Sequence, residues 1–257
     1  MADFWNPEQY HKFEKERNQP FFDLVKLILV YPNMNVVDLG CGTGKLTQIL
    51  HETLNAQKTL GIDSSEAMLS ATSAYKQANQ NLHFQLLNIE DFEPDEKYDL
   101  IFSNAALQWL PNHCTLFERF THYLSQGGQI AIQMPSNFDF PTHTIARDIA
   151  REQPFKKDLE GARMPSALPI EEYSLLLYHL KAKQQSVRVQ IYPHLLASVD
   201  TAVEWVKGTL LTFYQNRLST DKYHDFLQRY RKKMKERFGE EKPFFLPFKR
   251  ILIWAQF

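Results

Sequence analysis

From about residue 33 to 135, short apolar runs alternate with stretches of helical period, the arrangement that a parallel sheet covered by helices on both faces imposes on a chain. Residues 36–39 read as the first strand and 45–54 as the helix after it; 59–62 is a second strand, 65–78 a helix, 83–87 a third strand and 98–103 a fourth. Residues 114–124 form the next helix, after which Gly127-Gly128 turns the chain into a fifth strand over 129–134. Beyond Pro135 the pattern changes. Prolines at 141, 154, 165 and 169 divide amphipathic stretches at 142–153, 170–181, 200–217 and 220–237, which predict a mainly helical cap. Residues 187–192 read as a strand between cap pieces and 250–257 as a final strand returning to the sheet edge. The expected organisation is an N-terminal helical segment (1–30), an α/β core (31–136), a cap (137–247) and the closing strand (248–257).

Composition adds exclusions. The chain has 257 residues, 44% hydrophobic and 23% charged, with 29 Lys+Arg against 30 Asp+Glu. The formal charge of −1 gives no positive field for holding a polyanion, so no nucleic-acid partner is expected. Two cysteines, Cys41 and Cys114, make neither a disulfide framework nor a metal-ligand spacing. No metal is expected. The first residues lack the basic and apolar regions of a secretion signal, and no apolar run reaches the roughly 20 residues of a membrane span. A cytoplasmic protein without a membrane partner is the resulting expectation.

Chemistry concentrates where strands end. Asp38-Leu39-Gly40-Cys41-Gly42-Thr43-Gly44 closes the first strand and opens a helix, and its glycines let backbone approach a ligand closely. Dinucleotide enzymes use a related turn but end it Gly-x-x-Gly. Here the spacing is Gly-x-Gly-x-Gly, preceded by an acid. Gly61-Ile62-Asp63-Ser64-Ser65 places a carboxylate at the end of the second strand, about 20 residues further on, where a ribose diol is gripped. The competing role for Asp63 is to cap the helix beginning near Ser64 and Ser65. Asn88 or Ile89 after the third strand, and residues 103–110 after the fourth, complete one site along the carboxyl edge of the sheet.

These strings resemble the class I S-adenosylmethionine-dependent methyltransferases, and within them the trans-aconitate 2-methyltransferase family. The likeness runs from Trp5-Asn6-Pro7-Glu8-Gln9-Tyr10 through Val37–Gly42, Gly61–Met68 and Asp99–Pro111 to Gln133-Met134-Pro135 and Glu204-Trp205-Val206. The resemblance implies a Rossmann-like α/β sheet and S-adenosyl-L-methionine as cofactor. Gly40, Cys41 and Gly42 would pack on its methionine part, Asp63 and Ser64 on the ribose, and Met68, Asn88 and Ile89 beside the adenine. Asn104 and Ala105 would meet the amino acid, and the segment carrying Trp5, Tyr10 and Phe13 would fold over the cofactor or dock on the core as an ordinary helix. The chain departs from the family at Asn88, where an acid is usual, and in the cap. There Arg188-Val189 and Leu210-Leu211-Thr212-Phe213 stand in place of a Trp-Arg pair and a Gly-Leu-Arg-Pro string, so one bidentate partner for a tricarboxylate is lost.

An ionised carboxylate attacks a methyl carbon without a general base, so no catalytic residue is expected. The implied reaction is O-methylation of a small organic acid held by His143 and Arg147, with Tyr173, Tyr192, His194 and Lys207 as further candidates. A phenolic or acyl-carrier-bound acceptor, and a cofactor-binding module without catalysis, are the alternatives. The basic run at 229–237 reads as a solvated helix face and Trp205 as cap core.

Overall fold

A computed structural model describes residues 14–72, 75, 79–162 and 164–257, so Trp5, Tyr10 and Phe13 lie outside the described residues. Helix α1 (Glu14–Val25) precedes β1 (Asn35–Leu39), α2 (Lys45–Leu54), β2 (Lys58–Asp63), the short α3 (Glu66–Leu69) and β3 (Leu82–Leu86). Then follow β4 (Tyr98–Asn104), α4 (His113–Tyr123) and β5 (Leu124–Pro135). The chain continues through α5 (Pro141–Ala150), α6 (Lys156–Leu159), α7 (Ile170–His179), β6 (Gln184–Leu196), α8 (Val199–Lys207), α9 (Leu210–Gln215) and α10 (Thr220–Phe238) to β7 (Phe244–Gln256). The helix expected over 65–78 is shorter in its described part, with α3 passing into a 3₁₀ turn at Ser70–Thr72.

Seven strands form one sheet in the order β3-β2-β1-β4-β5-β7-β6. The first five are parallel, and β7 is antiparallel to both β5 and β6. Alternation along the strands divides the core into two layers, because successive side chains point to opposite faces. Val37, Ile101, Ile130, Ile132, Ile251 and Ile253 pack with Phe117 and Phe120 of α4 and Tyr173 and Leu177 of α7. Their neighbours Val36, Leu100, Ala131, Leu252 and Trp254 pack with Phe21 and Leu24 of α1 and Leu50 and Leu54 of α2. With both faces covered, the central strands carry near-continuous apolar runs. Strand β1 is buried from Val36 to Leu39, Asp38 included.

Two expectations about the closing strands are corrected. The strand expected at 187–192 between cap pieces is the 13-residue β6, a member of the main sheet. The closing strand begins at Phe244 and sits inside the sheet, between β5 and β6, so the edge belongs to β6. Nothing in a strand's own residues reveals which neighbour it pairs with; here β6 supplies thirteen register partners that cover β7's outer side.

Helices α5, α8, α9 and α10 build a second core with the adjoining ends of β6 and β7. Tyr214 stacks on Phe226 at 4.5 Å, Phe155 meets the same ring edge-on at 5.2 Å, and the Tyr230 hydroxyl donates to the Thr142 carbonyl at 2.9 Å. Ser198 and Ser219 cap α8 and α10 through their hydroxyls, each accepting one of the N–H groups that a first helical turn leaves unmatched. The basic run of α10 is tied to neighbouring helices: Arg231 reaches Glu204 at 2.6 Å, Lys233 reaches Glu152 at 2.5 Å and Lys235 reaches Asp200 at 3.0 Å. Among the described residues no helix is long and apolar enough to cross a membrane.

Candidate active site

The strand order reverses between β1 and β4, so the loops leaving their carboxyl ends run apart and open a crevice there. The glycine turn after β1 forms one wall. Gly40, Gly42 and Gly44 have φ of 81°, 57° and 76°, the left-handed region that a side chain disfavours. At Gly40 the need is also steric, since an added Cβ would stand 2.2 Å from the Ala106 Cβ; at Gly42 it would meet no protein atom within 4 Å. One glycine lets two backbones touch; the other leaves the crevice floor bare.

Asp63 organises the opposite wall. Its Oδ2 accepts from the Gly42 N–H at 2.8 Å and its Oδ1 from the Ser65 N–H at 2.9 Å. The helix-cap role weighed against ligand binding falls to Ser65, whose Oγ accepts the Met68 N–H at 3.1 Å; Asp63 braces the turn before it. Asp38 is buried beneath the turn and accepts from the Thr47 hydroxyl at 2.7 Å. Burial pushes its carboxyl up to about 7, against the Thr47 hydrogen bond and with help from the nearby Asp63 charge.

A cavity of about 370 Å³ follows from this geometry, and Gly40, Cys41, Gly42, Asp63, Ser64, Met68, Asn88, Ile89, Asn104 and Ala105 all line it. Tyr10 lies outside the described residues. Trp109 and Leu110, within the 103–110 string expected after β4, line it too, and residues given no cofactor role in the sequence join them: Asn18 from α1, and Thr212, Phe213, Asn216 and Arg217 from the helical region. Arg217 is fixed by packing 4.0 Å above the Phe213 ring and donating to the Phe213 carbonyl at 3.0 Å.

A second cavity of about 270 Å³ shares Asn104, Ala105, Trp109 and Pro165 with the first. Ala105 marks the junction with a φ of 59°, an uncommon conformation for a residue with a Cβ, and its N–H donates to the Gln133 carbonyl at 2.8 Å. His143, Arg147 and Arg250 line this cavity beside the apolar Trp205, Leu210 and Phe248, and no aspartate or glutamate does so among the described residues. His143 is held at about 4, first by burial and then by the neighbouring Arg147 guanidinium, so it is neutral at pH 7. Trp205, expected as cap core, is buried and also forms cavity wall.

The remaining substrate candidates stand elsewhere. Tyr173 is fully buried in the sheet core, hydrogen-bonded to His113 Nδ1 at 2.6 Å and accepting the Leu168 N–H at 3.1 Å. Tyr192 donates to Asp23 at 3.1 Å, and Lys207 pairs with Glu204 at 3.0 Å. Neither cavity includes any of the three. His194 packs on Trp205 with ring centroids 4.6 Å apart, behind the cavity wall. A tyrosine or lysine looks alike in sequence whether its polar tip faces a ligand or another side chain.

A seven-stranded sheet with an antiparallel β7, a glycine turn at the switch point and an acid closing β2 define a class I S-adenosylmethionine-dependent methyltransferase. A family model described as a methyltransferase domain matches residues 31–192. Solved structures agree on the fold: a Bacillus subtilis protein, YcgJ, superposes with a TM-score of 0.63 at 14% identity over 93% of this chain and 98% of its own. Phosphoethanolamine N-methyltransferase 2 of Haemonchus contortus, solved with S-adenosylmethionine, gives 0.57 at 14% identity over 93% of this chain and 52% of its own. Nearer in sequence are trans-aconitate 2-methyltransferases of Deinococcus radiodurans, 38% identical over 98% of this chain and 97% of the relative, and of Variovorax paradoxus, 37% identical over 98% of both. The chain belongs to the trans-aconitate 2-methyltransferase family.

The first cavity fits the cofactor on its own geometry. A bare backbone at Gly42, a carboxylate already oriented at Asp63 and an apolar slot between Met68 and Ile89 match the amino-acid, ribose and base portions of an adenosyl group. The Asn104 Oδ1, buried without a hydrogen-bond partner among the described residues, adds an acceptor at the end that meets the second cavity.

Proposed function

We propose that the protein methylates a carboxylate of a small organic acid seated in the second cavity. The observation that carries this reading is the lining of that cavity. Arg147 lines this space beside Arg250, and no aspartate or glutamate of the described residues lines it, which favours an anion there. A neutral His143 neither adds to that charge nor competes for the anion. The relatives' name points the same way.

When bound, S-adenosylmethionine supplies a methyl carbon on a sulfonium, and transfer to a carboxylate oxygen leaves the electron pair of the broken C–S bond on sulfur, with no proton to remove. Asp63 and the turn at Gly40–Gly42 hold the donor, while Arg147 and Arg250 hold the acceptor. Asn104 and Ala105 line both cavities, so the reacting groups meet beside them. Alignment is then the main contribution of the protein, and Trp109, Trp205 and Phe213 add apolar wall around the reacting groups. In this reading α5, α8, α9 and α10 act as the cap that supplies acceptor contacts together with Arg250 of β7, over the 31–136 core that holds the donor. The buried Cys41 and exposed Cys114, neither of them in a disulfide, suit a reducing compartment such as the cytoplasm.

Mass spectrometry with labelled cofactor over a panel of acids, trans-aconitate included, tests the assignment. Methyl esters are expected. Turnover of hydroxyl or amine acceptors alone would overturn it.

A further inference from the structure

The sheet ends on an open edge. The Phe257 N–H donates to the Gly128 carbonyl at 3.0 Å and the Ser136 N–H to the Lys249 carbonyl at 2.9 Å, so odd-numbered residues of β7 bond toward β5 and even-numbered ones toward β6. Through the register of β6 on β7, the even-numbered residues of β6 are the ones tied inward. Gln185, Val187, Val189 and Ile191 therefore turn their N–H and C=O groups outward, and no backbone group of the described residues bonds them there. The Ile191 carbonyl accepts from the neighbouring Gln190 side-chain amide at 3.4 Å. A row of unmatched ladder groups is a template for another strand.

The outward-turned residues also carry the strand's apolar side chains. Alternation puts Val187, Val189, Ile191 and Leu195 on one face of β6, and Gln184, Ser186, Arg188 and Gln190 on the other. Val189 is 41%, Ile191 52% and Leu195 69% exposed, and Phe245, in register with Leu195 on β7, is 52% exposed. Helix α7 covers the start of this face, where Val187 packs against the core that holds Tyr173 and Leu177, and Ser174 Oγ donates to Gln185 Oε1 at 3.0 Å. Tyr178 stands one turn beyond Ser174 on the same side of α7 and is 65% exposed. Neighbouring exposed apolar side chains of this kind mark an association surface.

We infer that β6 pairs antiparallel with β6 of a second copy of this chain, with the two-fold axis at Val189, joining two seven-stranded sheets into one. The strand is complementary to itself in that register. Val189 faces the partner's Val189, Val187 faces the partner's Ile191, and Arg188 faces the partner's Gln190, so apolar meets apolar and the arginines stand apart. The symmetric registers on either side are worse. An axis at Arg188 sets guanidinium against guanidinium, and an axis at Gln190 brings Pro193, which has no N–H, opposite Val187 inside the ladder. With the axis at Val189, Pro193 falls opposite the partner's Gln185 and closes the ladder at each end. Leu195 then extends toward the start of the partner strand, where the partner's Tyr178 stands exposed. Each chain has one β6, so the assembly closes at two copies, as isologous contacts do.

Sedimentation velocity over a micromolar concentration series tests this, with a dimer expected for the wild-type chain. Val189→Lys sets two ammonium groups against each other on the axis, at a position already open to solvent. It should raise the dimer dissociation constant at least about tenfold while calorimetric affinity for S-adenosylhomocysteine stays within about twofold. In a Cys114→Ser background, Val189→Cys should form a disulfide-linked dimer under mild oxidation, because residues of a hydrogen-bonded pair stand about 5.5 Å apart at Cα, inside the disulfide range. Arg188→Cys, out of register with its own copy, should not. The crosslinking comparison stands even if the lysine variant folds poorly. A wild-type chain that sediments as a monomer throughout the series overturns the inference. So does a dimer that survives Val189→Lys unchanged, or one that Val189→Cys fails to crosslink.

Discussion

Asp63→Ala separates the structural and ligand roles of one carboxylate. In the structure the side chain accepts two backbone N–H groups, from Gly42 at 2.8 Å and Ser65 at 2.9 Å. Hydrogen bonds to a charged acceptor are worth about 1.5–3 kcal/mol each, and the lower figure applies because water can enter the cavity and replace part of the loss. Two such bonds give a destabilisation of about 3 kcal/mol, or a fall in Tm on the order of 5–10 °C for a chain of this size. The cofactor effect comes on top. If the carboxylate also takes the two ribose hydroxyls, binding loses at least about 1.4 kcal/mol, a tenfold rise in Kd. Titration calorimetry well below Tm reads the second number free of the first. Asp63→Asn should fall between, since an amide oxygen still accepts one donor while its NH₂ faces another. An Ala variant that loses stability as expected but binds the cofactor within twofold of wild type would confine Asp63 to bracing the turn and refute its ribose role.

Asp38 sets a pH dependence of stability. Its carboxyl stands near 7 in the folded protein against 3.8 in the unfolded chain, so the folded state holds the proton more tightly. The contribution is fully present below about pH 4 and is lost as pH rises through 7, amounting to about 4 kcal/mol at most. Asp38→Asn should flatten that decline in denaturant melts between pH 5 and 8; an unchanged slope would assign the proton elsewhere. Tyr173→Phe removes a hydroxyl that donates to His113 and accepts from Leu168, leaving two buried groups unmatched. A loss of about 2–4 kcal/mol in urea unfolding is expected. Because His113 Nε2 donates to the Leu107 carbonyl at 2.8 Å, beside Gln108, KM for the acceptor should rise more than the cofactor Kd. Arg147→Met and Arg250→Met should each raise acceptor KM by about tenfold or more with cofactor affinity unchanged, whereas Lys207→Met should leave both constants alone. Steady-state kinetics on the three variants decide it.

The donor half of the molecule was legible because its physics is local. A bare turn needs glycine at fixed positions, and a central parallel strand needs an unbroken apolar run, so 36–44 and 59–63 announce strand, turn and strand. Helix α2 falls at the expected 45–54 for the same reason, following directly on the turn. The acceptor half depends on what meets across the chain. Tyr173 and Lys207 drew notice for polar tips whose partners, His113 and Glu204, only folding identifies. Gln108 and Gln133 lay in strings that drew notice as segments, but a glutamine in an apolar stretch carries no mark of which cavity it lines. Ala105's left-handed φ is likewise invisible at an alanine, where sequence reasoning looks for glycine or asparagine.

The placement of β7 changes how the cap's lost arginine weighs. Read along the chain, the Leu210–Phe213 segment lacks the guanidinium that the family resemblance implies, which argues for a weaker anion site. Inserting β7 between β5 and β6 puts Arg250 in register with Pro135 and into the lining of the second cavity, which Arg147 of α5 also lines. One cation thus comes from the sheet and one from the helices. The sheet-borne group rides on a strand bonded on both sides, whereas Arg147 stands exposed on α5. If the proposed acid sits in this cavity, a fixed Arg250 would orient it beside Gln133, also on the sheet, and Arg147 would answer to whatever lies beyond. On this division the sheet would select the end of the acid that reacts, and the helices its remainder, so Arg250→Met should cost more turnover than Arg147→Met.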